Sequence, residues 1–218
     1  MLVVEKTGDE SLKFLEKVGM LGPDVTIAHM IHLTASEFRL AKETQTNVAH
    51  CPSANMKLGS GIARTMEMTQ AGINVSLGAD GAACNNNLSI FTEMRLAGLL
   101  QNLRFAAKGL KAEQIVRMAT NGGARALGLQ DEIGSLKIGK KADFVLLDPR
   151  LPHSSGETSD VYSRIVYSMD ARNVVSTYVD GVRLYHEGKV KGVGIARLMT
   201  EADEQIKKID AAYKRLMT

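Results

Sequence analysis

The chain has 218 residues, 44% of them hydrophobic and 23% charged, with a formal net charge of only +3. That length suits one large domain, or a domain with an appendage. The Lys and Arg residues are scattered, and no window approaches the ~20 apolar residues of a membrane span, so a nucleic-acid partner and a membrane span are both excluded as expectations. Taken in chain order, β-rich runs alternate with helical stretches: Leu2 to Glu5, Val25 to His29, Thr46 to His50 and Ile73 to Gly78 read as strands. Between them, Glu10 to Val18, Ala35 to Glu43 (with Thr34 as N-cap) and Gly61 to Ala71 read as helices, the last ended by Gly72. This alternation predicts parallel βαβ units, and the unbroken apolar character of the runs predicts strands covered on both faces. Two further helices follow, Leu88 to Arg104 and Ala112 to Leu127.

From Ile133 the pattern changes to short Gly-broken strands: Gly134 to Leu136, Ala142 to Leu147, Val174 to Val179 and Val182 to Tyr185. Asp180-Gly181 predicts a type I′ hairpin turn between the last two. Pro149 to Asp160 reads as a polar loop. Ile195 to Met217 reads as an amphipathic helix with Leu198, Ile206, Ile209 and Leu216 on its apolar side. The expected division is residues 1–128, 129–190 and 191–218. Cys51 and Cys84 are too few for a disulfide framework, and the N-terminus lacks a signal-peptide pattern, so a cytoplasmic location is expected.

Three predicted strands end in residues suited to metal or proton chemistry: His29, His50 and Asp80. A lone His at a strand end is more often a hydrogen-bonded core residue, but three in register are harder to explain that way. In a (β/α)₈ barrel the C-terminal strand ends build the active site. Imidazole and carboxylate are ligands for Zn²⁺, with Fe²⁺ or Mn²⁺ as substitutes, and a bound divalent ion lowers the pKa of water to about 7. Two protein ligands alone would be too few for a catalytic zinc, which normally takes three.

The segments AHMIHLT, VAHCPSANMKLGSGIA, VSLGADGAACNNNLSIFTEMRLAGLLQ, MATNGGARALGL and IGSLKIGKKADFVLLD together resemble the amidohydrolase superfamily. The nearest branch is that of methylthioadenosine/S-adenosylhomocysteine deaminases and triazine chlorohydrolases. The resemblance implies an α/β fold, the C-terminal half of a (β/α)₈ barrel with part of a small β-sandwich and a C-terminal helix. It implies that His29 is a metal ligand, that His50 polarises water or substrate, and that Asp80 is both ligand and proton shuttle. It places His32, Cys84 and Glu5 near the substrate, and Asn55 and Lys57 in a loop beside the pocket. Cys84 stands where related deaminases usually have Ser. The His that commonly accompanies Glu5 in the family is missing from Leu2, Val3 and Val4.

The implied cofactor is one divalent metal, zinc first. The implied substrate is a small amino-heterocycle or nucleoside of adenine type, with guanine-type and triazine substrates as alternatives, and a homo-oligomer is expected. The family's His-x-His metal pair has no counterpart in the sequence. The chain therefore reads as half of a longer enzyme or as an inactive truncated copy, two readings that bound metal and turnover separate.

Overall fold

A computed structural model of the chain describes residues 2–106, 108–156 and 160–217, with the side chains of residues 2–4 also outside the description. The chain falls into two compact units, Met1–Lys141 with Asp148–Asn173, and Ala142–Leu147 with Val174–Thr218.

In the first unit the order is α1 (Leu2–Thr7), α2 (Ser11–Lys17), β1 (Thr26–Ala28), α3 (Ala35–Glu43), β2 (Asn47–His50), α4 (Pro52–Lys57), α5 (Thr65–Gln70) and β3 (Val75–Leu77). Then come α6 (Ala82–Asn85), α7 (Ile90–Phe105), α8 (Ala112–Arg117), a π-helical turn (Met118–Gly122) and α9 (Gly123–Ala126). The short α10 (Val161–Ser163), a second π turn and a 3₁₀ turn complete it. The strands form a parallel sheet in the order β1-β2-β3, with Ala28 beside Ala49 and His50 beside Leu77. Parallel strands in register bring their C-terminal ends, and whatever follows them, to one side.

Helices pack on this sheet because its runs are apolar. Val48, Val75, Ile73, Met68, Ala97 and Ile115 are buried together in one core. The central strand is covered as predicted, but Thr26 and Ala28 on β1 are exposed, so β1 behaves as an edge. Helix α3 starts on a full capping box. Thr34 Oγ1 accepts from the Glu37 N–H at 3.2 Å, and Glu37 Oε2 accepts from the Thr34 N–H at 3.0 Å.

The second unit is an antiparallel sheet, β4 (Phe144–Leu147), β5 (Val174–Val179), β6 (Val182–His186) and β7 (Lys189–Val190) in that order, followed by the 22-residue helix α11 (Ile195–Leu216). The hairpin turn takes φ of +50° at Asp180 and +74° at Gly181, as its sequence requires. Every residue of α11 is exposed. Its side chains Ile195, Met199, Ala202, Ile206, Ile209, Tyr213 and Leu216 recur at alternating steps of four and three, the spacing of a coiled-coil seam.

Three expectations are corrected and a fourth is matched over its described residues. Leu2 to Glu5 is helix rather than strand, because no neighbouring strand pairs with it and a helix satisfies its backbone internally. Gly134 to Leu136 is a bend. Gly134 sits at φ +83°, where an added Cβ would lie 2.6 Å from the Ala124 Cβ, so close approach rather than strand pairing explains the glycine. The segment holding Asn55 and Lys57 is helix α4, entered through Pro52 at its first turn. The loop expected over 149–160 runs in turns through residue 156, and 157–159 lie outside the described residues.

Candidate active site

His29 follows β1 directly, His50 is the last residue of β2, and Asp80 lies three residues past β3. The sheet therefore brings all three sequence-derived residues to one end. His29 and Asp80 both adopt left-handed backbone, at φ +67° and +61°, and Met30 next to His29 is at +43°. For residues with a Cβ that conformation costs about 1–2 kcal/mol each, and it clusters at functional sites. Here it turns two side chains toward one another: His29 Nε2 lies 3.6 Å from Asp80 Oδ2.

The other ring nitrogen of His29 is already committed. Nδ1 donates to Asn55 Oδ1 at 2.8 Å, since a carbonyl oxygen only accepts. In its neutral form the ring would present the Nε2 lone pair to a carboxylate oxygen, at a separation too long for a hydrogen bond. Asn55 is itself buried, with its Nδ2 unpartnered. The sequence left Asn55 as loop scaffolding; Pro52 as a helix-entry signal was the available clue that it lies on a rigid element facing back toward β1.

His50 is fully buried, and neither ring nitrogen has a hydrogen-bond partner among the described residues. Burial first, and the charge of His29 second, hold its pKa down to about 4, so the ring is neutral at pH 7. Beside it, burial and then the carboxylates of Asp80 and Glu93 push the Cys51 thiol up to about 11, which removes it as a nucleophile at neutral pH. Both cysteines are free.

The remaining sequence candidates are placed less centrally. His32 is exposed, its Nε2 2.9 Å from the Ser60 carbonyl oxygen. Cys84 is half-buried on α6. Glu5 is an exposed residue on α1, which packs on α2. Lys57 donates to the Ala83 carbonyl at 2.7 Å and to Asn86 Oδ1, tying α4 to α6 rather than facing the three residues. Sequence reasoning missed Glu93, a fully buried carboxylate on α7 that accepts from Ser53 and Asn85. Its signal was a lone acid inside the apolar stretch around Met94, Leu96 and Ala97.

A cavity of about 560 Å³ opens elsewhere, lined by Asn74 and Val75 at the start of β3 with Met118, Gly122, Arg125 and Lys140. Volume alone would point there. The buried imidazole of His50, the left-handed backbone and the facing acceptors all lie at the other end of the strands, and together they make that end the candidate site. Among the described residues, no group of three His, Cys, Asp or Glu side chains is arranged to hold a metal ion. Nor is any described helix long and apolar enough to cross a membrane.

The chain was also compared with known proteins. The chain is 39% identical to a 5-methylthioadenosine/S-adenosylhomocysteine deaminase of Moorella thermoacetica, over 94% of this chain and 48% of that protein. It is 40% identical to a 5'-deoxyadenosine deaminase of Methanosarcina mazei, over 95% and 48%. A crystal structure of an adenosine deaminase from Xanthomonas campestris with bound zinc superposes with a TM-score of 0.92 at 32% identity, covering 96% of this chain and 48% of that one. The chain thus spans about half the length of the relatives it matches. The profile of the amidohydrolase family matches residues 3–184, and the chain belongs to that family.

Proposed function

We propose that this chain forms part of a metal-dependent hydrolase that replaces the amino group of an adenine-type nucleoside, or a related amino-heterocycle, by a carbonyl, releasing ammonia. The observation that carries the reading is the pair of facing acceptors. Two ligands at about 2.0–2.2 Å from a tetrahedral ion lie about 3.4 Å apart, and His29 Nε2 and Asp80 Oδ2 are 3.6 Å apart. The donor types suit zinc first, with iron or manganese as substitutes. His29 and Asp80 would hold the ion, and its further ligands are not among the described residues of this chain. When bound, such an ion supplies hydroxide at neutral pH by lowering the pKa of water to about 7.

The chain's own residues do the rest. Asn55 fixes the His29 tautomer so that Nε2 faces inward. Neutral His50 hydrogen-bonds the attacked region of the substrate and stabilises charge that develops there, in a site where burial keeps that interaction strong. Asp80 takes the proton of the attacking water and delivers it to the leaving amine. His32, three residues after His29, and Cys84, four residues after Asp80, are assigned to substrate contact. Glu5 is not, given its place on α1.

The test is ammonia release from methylthioadenosine, S-adenosylhomocysteine, 5'-deoxyadenosine, adenosine, guanine and an aminotriazine by the protein that carries this chain. Turnover of an adenine nucleoside is expected. Asp80→Asn should lower it at least about 10³-fold, as it removes ligand and proton carrier together, while His32→Ala costs about tenfold or less. Equal losses contradict the roles, and absence of release from every substrate by metal-loaded protein contradicts the function.

A second reading is favoured by the two-donor count: this chain by itself holds no metal and turns nothing over, and then the purified chain is metal-free and inactive. We also propose that the chain self-associates, supported by the exposed seam of α11, and that it resides in the cytoplasm, supported by its two free cysteines.

A further inference from the structure

The loops that carry the active-site residues are not independent. Glu93 is 0% exposed, and among the described residues its side chain is held by two N–H donors rather than by a cation. Its Oε2 accepts from the Ser53 N–H at 3.0 Å, in the first turn of α4. Its Oε1 accepts from Asn85 Nδ2 at 2.8 Å, at the end of α6. Each arm leads to one member of the facing pair. From Ser53 the path runs along α4 to Asn55, which holds the His29 ring at 2.8 Å. From Asn85 the same Nδ2 reaches the Ala79 carbonyl at 2.7 Å, next to Asp80. Lys57 fastens α4 to α6 at a second point. His29 and Asp80 come from the two outer strands, separated by β2, so the sheet does not by itself fix their separation. The strand-end backbone is left-handed on both sides, a conformation that persists only where surroundings over-determine it.

We propose that Glu93 is a positioning residue that sets the separation of His29 Nε2 and Asp80 Oδ2 by holding the loops after β2 and β3 to one buried carboxylate. The requirement is for an acid. Both partners are donors, so an amide at this position presents its own NH₂ to one of them whichever way it is turned, and one arm is released. Cys51, packed beside the same carboxylate, is consistent with that placement, because Glu93 contributes to raising its thiol. The inference rests on reading His29 and Asp80 as the working pair, and its test separates the two claims.

The variants are Glu93→Gln and Asn85→Ala, with Glu37→Gln, a buried acid away from the site, as a stability control. In metal-free protein, long-range ¹H–¹⁵N NMR of the histidine rings reads the His29 tautomer. Wild type and Glu37→Gln are expected to show a single Nδ1–H tautomer. Glu93→Gln and Asn85→Ala are expected to show mixed tautomers or a shifted His29 ring while remaining folded by thermal melting. Titration with Co²⁺ alone then reads the pair, with 10- to 100-fold weaker binding and an altered visible spectrum expected in the Glu93→Gln and Asn85→Ala variants. If wild type binds no Co²⁺, the metal reading fails for this chain, and the His29 ring signals still decide the role of Glu93. If both site variants stay folded and keep wild-type ring signals, the positioning role is wrong. If Glu93→Gln does not fold, Asn85→Ala, which leaves the carboxylate in place, decides in the same way.

Discussion

With both nitrogens of His50 out of water and unpartnered, adding a proton to that ring is opposed in the folded chain alone. An unfolded His titrates near about 6.5, whereas His50 is held at about 4 by burial and by His29. Between those values the unfolded chain takes up a proton that the folded chain refuses. Stability is therefore full above roughly pH 6.5 and is lost as the pH falls toward 4, by about 3 kcal/mol in all. Thermal melting of metal-free protein from pH 8 to 4 should show this loss, and His50→Gln should show a shallower one; identical slopes would contradict the assignment. Cys51 gives a second check at this scale. Its raised pKa and burial predict that a disulfide reagent at pH 8 labels Cys84 in the folded chain and Cys51 only after denaturation.

At the scale of elements, Glu37 does more than its capping box requires. Its Oε2 closes the box with Thr34, and its Oε1 accepts from the Leu12 N–H at 2.9 Å, in the first turn of α2. One buried carboxylate thus satisfies donors at the starts of two helices. Thr34→Ala should cost about 1 kcal/mol and Glu37→Ala about 2–3 kcal/mol in urea unfolding; equal costs would mean that the bond to α2 contributes nothing. The same pair shows what was legible beforehand. Thr34 was readable as an N-cap because the signal is local, and the central strands were readable because β-branched runs bounded by turn residues are local too. The reach of Glu37 to Leu12 spans 25 positions and leaves no periodic trace. At the site, the residue types His29, His50 and Asp80 could be named from strand ends. That Asn55 would lock a tautomer, or that Glu93 would be the buried acid, depends on a helix, α4, whose six residues are too few to show a period. The strand reading of Leu2 to Glu5 fails for a related reason: Leu2 to Val4 favour a strand, but a strand needs a neighbour.

At the scale of the molecule, α11 is the feature most at odds with a lone chain. Seven side chains at four-three spacing line a 22-residue helix that nothing in the chain covers among the described residues. Pairing of that seam with a second copy should appear as a dimer in light scattering at micromolar concentration, and Ile206→Asp with Ile209→Asp should return it to monomer without lowering the melting temperature of the sheets. A wild-type chain that stays monomeric across the concentration range would remove the seam as an interface.

The orphaned ring of His50 has one more consequence, for how much of this protein a cell would hold. A buried polar group without a partner costs the fold about 1–3 kcal/mol, a sizeable part of the 5–15 kcal/mol by which domains are typically stable. A molecule that supplies the partner does so in the folded chain alone, so occupancy and folding are linked by mass action. The empty protein then sits nearer to the populations that chaperones and proteases remove, and the filled protein farther away. A melting temperature that rises with added ligand would show this linkage.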